Sequence, residues 1–384
     1  MLPYSDEQKM IKETVRKLAR EKIEPLIEEM ERTGQGGDEA LKILAENDLL
    51  KLSLPEEYGG IGADFTTMAI VIEEMAKVDS SMGMHIFTSA AGLALIVGDF
   101  ATEDQKKKLF TSCRNGDQLG AFLLTEPGHG SDAANMTTKA VLDGERYVIN
   151  GLKTMITNGP DAGYFILFAR TGPGDKSRGI GCFLFPKSAI TGMTAGNPLD
   201  KLGFRFSKTS EMFFEDARLP REFLLGNEGD GWNIMATAGG AMRAFGASSI
   251  ALGNAEGALE YAIGYAKERV TFGRPLVQHQ AIQFSIAEMG MQIEAARSLQ
   301  YTTLQMIDRG DYTPAEYQLL CSATKGFCCD MAMNVTINAT QILGAYGVMN
   351  EYPMGRRLRD AKVNQIFDGA SEIQKMVVGK ILSS

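Results

Sequence analysis

The hydrophobic period of this chain changes twice, from helical spacing to strand spacing near residue 119 and back near residue 232, and few architectures accommodate that order. In the first third, Ser5-Asp6-Glu7-Gln8 reads as a capping box. Ile11, Val15 and Leu18 follow at helical spacing with charges between them. Asp38 to Leu50 predicts a short helix, and two apolar helices are expected at about 65–78 and 82–98, with Met68, Met75, Met82 and Met84 as core filler. Leu54 to Gly62 is a glycine-rich turn without the G-x-G-x-x-G order of a dinucleotide loop. Gln105 to Lys108 reads as a solvated helix face.

From about 119, Gly120 to Leu124, Tyr164 to Ala169, Cys182 to Phe185 and Met212 to Phe214 read as strands, with Pro and Gly dense between them. Asn150-Gly151, between alternating segments, predicts a hairpin turn. Helices return from Trp232. One long helix is expected over Ala241 to Val270, then others at about 279–308, 313–345 and 370–382, which together suggest a bundle. The expected class is α+β, with a helical domain over 1–118, a β domain over 119–231 and a helical bundle over 232–384.

Composition narrows the functions. A chain of 384 residues has room for two or three domains around a substantial core. The net charge of −9 argues against a nucleic-acid partner, so an anionic substrate would need local basic sites. Cys113, Cys182, Cys321, Cys328 and Cys329 form no C-x-x-C pair, and no signal peptide is evident, which suggests the reducing cytoplasm. No apolar run reaches the roughly 18 residues of a membrane span. His85, His129 and His279 lack ligand spacing, so no metal is expected.

The chemistry is placed at Ile366 to Gln374. Asp368 follows two apolar residues and precedes Gly369, after which Ile373, Met376, Val377 and Ile381 recur as a helix. Two readings stand. An acid at the mouth of an apolar pocket has a raised pKa and suits a general base. Alternatively, Asp368 caps the last helix. The loop Thr125 to Asp132 follows a buried strand; its glycines and hydroxyls either gather N–H donors around a ligand or form a structural turn. Arg269 offers a guanidinium fork for a pyrophosphate, or is a helix-end surface cation.

Taken in chain order, these segments resemble the acyl-CoA dehydrogenase family. Arg359 to Lys362, Gln365 to Gly369 and Glu372-Ile373-Gln374 are similar to its C-terminal signature, where a Tyr-Glu-Gly-Thr run carries the catalytic Glu. Here Phe367-Asp368-Gly369-Ala370 stands in that place, so the resemblance puts the base at Asp368, with Phe367 and Gly369 toward substrate and Ala370 and Glu372 toward cofactor. Thr125 to Asp132 resembles the family's Thr-Glu-Pro-x-Gly-Ser-Asp loop. That implies flavin contacts from Phe122, Leu124, Thr125, Gly130 and Ser131, with Ser131 also meeting the CoA pyrophosphate. Lys153 to Gly159 is similar to a second flavin segment. There Thr157 would bond near flavin N5, and Met155 replaces the Trp or Phe of many relatives, its thioether still able to shield one face.

Arg269 to Pro275 with His279-Gln280 resembles the Arg-x-Thr-Phe-Gly…Gln motif, which implies that Arg269, Phe272 and Gln280 reach the flavin of a neighbouring subunit. Gln341 to Gly347 resembles the segment at the adenine end of that flavin, with Gln341 and Gly344 in contact. Arg243 falls where relatives carry an Arg near substrate. Some relatives place their base on that helix instead, but Gly239 to Met242 contain no acid. A variant that dehydrogenates a ring across 1,4 positions carries an acid in an earlier helix, and residues 81–98 contain none.

The resemblance implies a helical N-terminal domain, a β-barrel-like central domain and a C-terminal four-helix bundle assembling as a homotetramer. It also implies FAD, an acyl-CoA substrate and electron transfer flavoprotein as acceptor. Asp is shorter than Glu by one methylene, roughly 1.3–1.5 Å of reach. Either the substrate sits closer to this loop, or its α-carbon is bulkier; an α-carbon within a ring would use that room, and the leading expectation is an alicyclic substrate such as cyclohexane-1-carboxyl-CoA, oxidised to the 1-ene thioester. Dehydrogenases for that substrate are similar in carrying Asp here. The alternatives are a short- or branched-chain acyl-CoA, nitroalkane oxidase chemistry with an Asp base, or a non-catalytic relative that keeps the flavin fold as a binding or assembly module, against which the intact acid at Asp368 argues.

Overall fold

A computed structural model describes residues 4–33, 37–113, 119–172 and 177–384. Helices α1 (Asp6–Leu18), α2 (Glu24–Thr33), α3 (Gly37–Glu46), α4 (Phe65–Ala76), α5 (Ser80–Phe100) and α6 (Glu103–Cys113) come first. Ser5 opens α1 with the expected capping box, its hydroxyl accepting from the Gln8 N–H while the Gln8 side chain accepts from the Ser5 N–H. Helix α3 stops at Glu46, short of the expected Leu50, and Asp48 follows at φ 62°. Helix α4 is buried on all sides from Thr66 to Ala76. Its two acids are therefore paired: Glu73 with Arg297 at 2.8 Å and Tyr301 Oη at 2.8 Å, and Glu74 with Arg16 at 3.0 Å. These bonds tie α1 and the later bundle to one central helix. The Gln105 to Lys108 face is only partly solvated, because Gln105 Nε2 donates to the carbonyls of Glu222 and Leu224 at 2.7 and 2.8 Å.

Strands β1 (Leu119–Leu123), β2 (Lys139–Asp143), β3 (Arg146–Thr157), β4 (Ala162–Arg170), β5 (Ile180–Pro186), β6 (Thr191–Ala195), β7 (Thr209–Pro220) and β8 (Leu224–Leu225) form one eight-stranded sheet, ordered β6-β7-β3-β2-β4-β5-β8 with β1 parallel to β4. The boundary expected at 118/119 adjoins residues 114–118, which lie outside the described residues.

The hairpin expected at Asn150-Gly151 is not a turn. The chain runs straight through it as β3, and the turn falls instead between Asp143 and Arg146, where β2 pairs with β3. Asn150-Gly151 is a bulge against β7, with the register shifting between Ile149 and Gly151. The Asn150 side chain bonds Asp216 across the sheet at 3.0 Å, and a Cβ on Gly151 would stand 2.4 Å from the Thr138 hydroxyl. Close approach of backbones, rather than chain reversal, requires the glycine.

Helix α7 (Gly231–Met242) leads through one π-helical turn, Arg243–Ala247, into α8 (Ser248–Glu268). The single helix expected from Ala241 thus begins ten residues earlier at Gly231 and carries a π insertion. A short hairpin of β9 (Val270–Thr271) and β10 (Arg274–Pro275) precedes α9 (Gln280–Arg309), α10 (Pro314–Leu343), α11 (Met354–Asn364) and α12 (Ser371–Leu382). Helix α10, opened by a Thr313/Glu316 capping box and Pro314, packs against α8, α9, α11 and α12. No helix among the described residues is long and apolar enough to cross a membrane.

Candidate active site

Asp368 lies in the loop between α11 and α12. It does not cap the last helix: that position is Ala370, without a side-chain cap bond. Asp368 instead takes φ 52°, and Gly369 follows at φ 86°. Two successive left-handed residues reverse the chain and turn the Asp368 side chain inward. Its Oδ2 is sealed from solvent with no hydrogen-bond partner. Burial raises its pKa to about 6, partly offset by Arg243 and Lys325. None of the hydrogen bonds among the described residues uses the Asp368 N–H. An orphaned carboxylate oxygen beside a free N–H is what a site for proton abstraction next to a carbonyl requires.

The π turn sets Arg243, whose Nε donates to the Asp368 carbonyl at 3.3 Å while Ser248 Oγ donates to the Arg243 carbonyl at 2.7 Å. Gly369 also fits closely, since a Cβ there would lie 2.5 Å from Gln374 Nε2. Phe367 packs edge-on against Phe204 at 5.7 Å, and the Phe204 N–H donates to Asp360 Oδ1 at 2.7 Å.

Contacts continue from there to the sheet. His85, buried in α5, bonds the Phe206 carbonyl at 3.1 Å through Nε2, while its Nδ1 has no partner. Burial lowers its pKa, so it is neutral at pH 7. Asn158, at the end of β3, donates to Thr88 Oγ1 on α5 at 2.8 Å and to the Gly120 carbonyl at 3.2 Å. The Thr154 N–H donates to the Thr125 carbonyl at 2.9 Å. The 122–131 and 153–159 segments are thus brought together. Phe122, Leu124, Thr125 and Thr157 are half-buried, whereas Gly130 and Ser131 are exposed.

Under this face lies a buried ion pair. Lys153 Nζ, fully inaccessible, donates to Glu126 Oε1 at 2.9 Å and to the Leu124 carbonyl at 2.9 Å. Glu126 also accepts from the N–H groups of Thr137 and Thr138 at 2.6 and 2.9 Å. Burial alone would raise the Glu126 carboxyl, but Lys153 and these donors outweigh it and hold it at about 2. Burial lowers Lys153 to about 8 despite its partner.

A second group of expected site residues gathers at the other end of the bundle. Arg269 stacks over Tyr346 at 5.8 Å. Phe272 stands 97% exposed at φ 50° in the β9–β10 hairpin. Gln280 opens α9 and is exposed. Gln341 and Gly344 line a groove of about 440 Å³ with Ile337, Thr340, Ala345, Val348 and Leu358. None of the hydrogen bonds, ion pairs or ring contacts among the described residues joins this group to Asp368. Ala370 and Glu372 lie at the start of α12, Glu372 exposed.

The sequence is matched by the models for the acyl-CoA dehydrogenase N-terminal domain over residues 5–117, middle domain over 121–217 and C-terminal domain over 229–383. The acyl-CoA dehydrogenase of Bacillus subtilis is 40% identical over 380 residues, covering 98% of both chains. The chain belongs to the acyl-CoA dehydrogenase family. It is also similar to the cyclohexane-1-carbonyl-CoA dehydrogenase of Geobacter metallireducens, at 37% identity over 99% of this chain and 98% of that one. Butyryl-CoA dehydrogenase from Megasphaera elsdenii superposes with a TM-score of 0.94 at 35% identity, covering 100% of each chain.

Acyl-CoA dehydrogenases are FAD-dependent flavoproteins, and the residues here fit that cofactor. The β3–β7 register shifts again between Lys153 and Ile156, where Met155 takes φ 58° and leaves its thioether 63% exposed. A bulge of that kind presents an apolar, polarisable side chain to a flat ring. Gly128 and Gly130 have open space where a Cβ would stand, so backbone can approach a phosphate.

Lys153 and Glu126 were within motifs read from sequence, but without a role. His85 was weighed only as a metal ligand and set aside, and Phe204, Lys325 and Asp330 were not singled out. Only the incongruity of a charged residue amid apolar helical spacing marks Lys325 in the sequence.

Proposed function

We propose that this acyl-CoA dehydrogenase removes the α- and β-hydrogens of an alicyclic acyl-CoA, cyclohexane-1-carboxyl-CoA being the specific substrate, with Asp368 as the base. The observation that carries the reading is the sealed, partnerless Oδ2 of Asp368. The thioester carbonyl is held by the Asp368 N–H, which acidifies the α-proton, and the carboxylate takes that proton. When bound, FAD supplies the acceptor for the β-hydrogen. Phe122, Leu124, Thr125, Gly130, Ser131, Met155 and Thr157 hold the flavin from one copy of the chain, together with Ala370 and Glu372. Arg269, Phe272, Gln280, Gln341 and Gly344 reach it from a second copy, a role supported by the near-complete exposure of Phe272 and by the separation of the two groups within one chain. Arg243, Phe367, Gly369 and Ser131 contact substrate. The assembly is a homotetramer in the cytoplasm, and electron transfer flavoprotein reoxidises it.

The short base supports the ring substrate, as does the likeness to the Geobacter protein. The likeness to butyryl-CoA dehydrogenase supports a short straight chain as the alternative. Assaying the FAD-loaded protein with cyclohexanecarboxyl-CoA and butyryl-CoA separates them. The ring thioester is expected to have the higher kcat/KM by at least about 10-fold, the scale on which a pocket discriminates one or two carbons. A preference for butyryl-CoA would sink the alicyclic assignment.

A further inference from the structure

Lys325 is a fully buried residue of α10 that makes no direct ion pair among the described residues; the carboxylate that its charge acts on is Asp368 itself. Burying an ammonium without a direct carboxylate contact is costly, and an apolar side chain would pack there at no such cost. Its donors go to main chain, to the Gly369 carbonyl at 2.7 Å and the Gln365 carbonyl at 3.5 Å. One turn and a half further along α10, Asp330 accepts from Gln365 Nε2 at 2.7 Å, Ser371 Oγ at 2.9 Å and Lys375 Nζ at 2.9 Å. Gln374 Nε2 adds a second donor to the Gly369 carbonyl at 3.0 Å. Both ends of the Asp368 loop are therefore pinned to one helix. The loop needs this, because left-handed backbone at a non-glycine residue persists only where the surroundings over-determine it.

We infer that Lys325 and Asp330 are positioning residues, a two-point clamp from α10 that holds the Asp368 N–H and carboxylate in register with the thioester. The inference rests on Asp368 being the base. Misplacement by about 1 Å costs on the order of 100-fold in such a site, and a base shortened by a methylene has no slack in reach. The charged or titratable groups facing Asp368 are Arg243 from the π turn and Lys325 and Cys329 from α10. Lys325 is thus also one of two cations that favour the ionised carboxyl.

The test compares Lys325→Met, Lys325→Arg, Asp330→Ala and Asp368→Ala, all as FAD-loaded holoenzyme. Readouts are kcat and KM with the preferred acyl-CoA and infrared titration of the Asp368 carboxyl. Lys325→Met is expected to lower kcat by about 10- to 100-fold. Its KM should stay within about two-fold, and the carboxyl midpoint should move up in pH. Lys325→Arg, which keeps charge and donors, should recover part of the loss. An unchanged kcat and midpoint in Lys325→Met, with Asp368→Ala inactive, overturns the clamp. Turnover retained in Asp368→Ala instead overturns the assignment of the base. Should Lys325→Met fail to fold, Asp330→Ala decides, since that side chain is 33% exposed and its removal strands no buried charge. A matching kcat loss supports the clamp, and wild-type kcat overturns it.

Discussion

Asp368→Asn is expected to cut dehydrogenation by about 10²- to 10⁴-fold, the usual contribution of a positioned general base. The fold should be unaffected. Asn is the same size, the loop is held through the Gly369 and Gln365 carbonyls, and Asp368 itself is bonded through its own carbonyl to Arg243. Burial of the carboxyl in fact opposes its ionisation, so the neutral amide removes a desolvation cost. Stopped-flow bleaching of the bound flavin by substrate measures the loss directly. Wild-type bleaching rates in Asp368→Asn would remove this residue from the chemistry.

The same carboxyl fixes a pH dependence. Its folded pKa, about 6, lies above the ordinary 3.8, so the active ionised form is lost as pH falls through 6. The kcat/KM profile should therefore drop about tenfold per pH unit below that point, since this parameter reports the free enzyme. The sign for stability is opposite. A raised carboxyl favours the folded state while protonated, and that contribution disappears as pH rises through about 6. A flat activity profile down to pH 4.5 would contradict the assignment.

Glu126→Gln is expected to destabilise the protein by about 3–5 kcal/mol, the scale for breaking a buried pair and leaving one charge behind. Lys153 is fully inaccessible and Glu126 is 4% exposed, so water cannot replace the missing partner. The amide also cannot accept all the donors that converge on the carboxylate from Thr137, Thr138 and Lys153. Because the pair fastens the 124–131 loop to β3, weakened FAD retention should accompany the lower unfolding midpoint. Thermal unfolding followed beside flavin release checks both. A shift of under about 1 kcal/mol would show that Lys153 neutralises or finds a new acceptor, as its lowered pKa near 8 permits.

The order of helices, sheet and helices was legible because hydrophobic period and turn residues report local geometry. Ser5 marked a real cap for the same reason, whereas the Thr313 cap was not read beyond a helix expected from about 313. Asn150-Gly151 misled because the pair that favours a two-residue turn also suits a bulge, and the choice depends on Thr138 crossing behind it. The π turn at Arg243 left no periodic trace, since one extra residue is invisible to a count of apolar spacing. At the site, Asp368 was legible only as one of two readings; its unpaired oxygen depends on a backbone conformation that the sequence does not announce. Lys325 and Asp330 were illegible because their partners are main-chain carbonyls and side chains 35 to 45 positions away.

The π turn between α7 and α8 makes the chemistry depend on arithmetic as well as on residue identity. A π turn takes in one residue more than the α-helical turn it replaces, so losing a single position between 243 and 247 would close the i→i−4 ladder with the flanking helices still in phase and re-seat the residues within the turn itself. The i→i+5 bond from the Ser248 N–H to the Arg243 carbonyl would be lost, and with it the local setting in which the Arg243 Nε reaches the Asp368 carbonyl, although Arg243 itself remained. Length in this five-residue stretch is accordingly a specification in its own right, and a deletion there is a lesion that no inventory of side chains would flag.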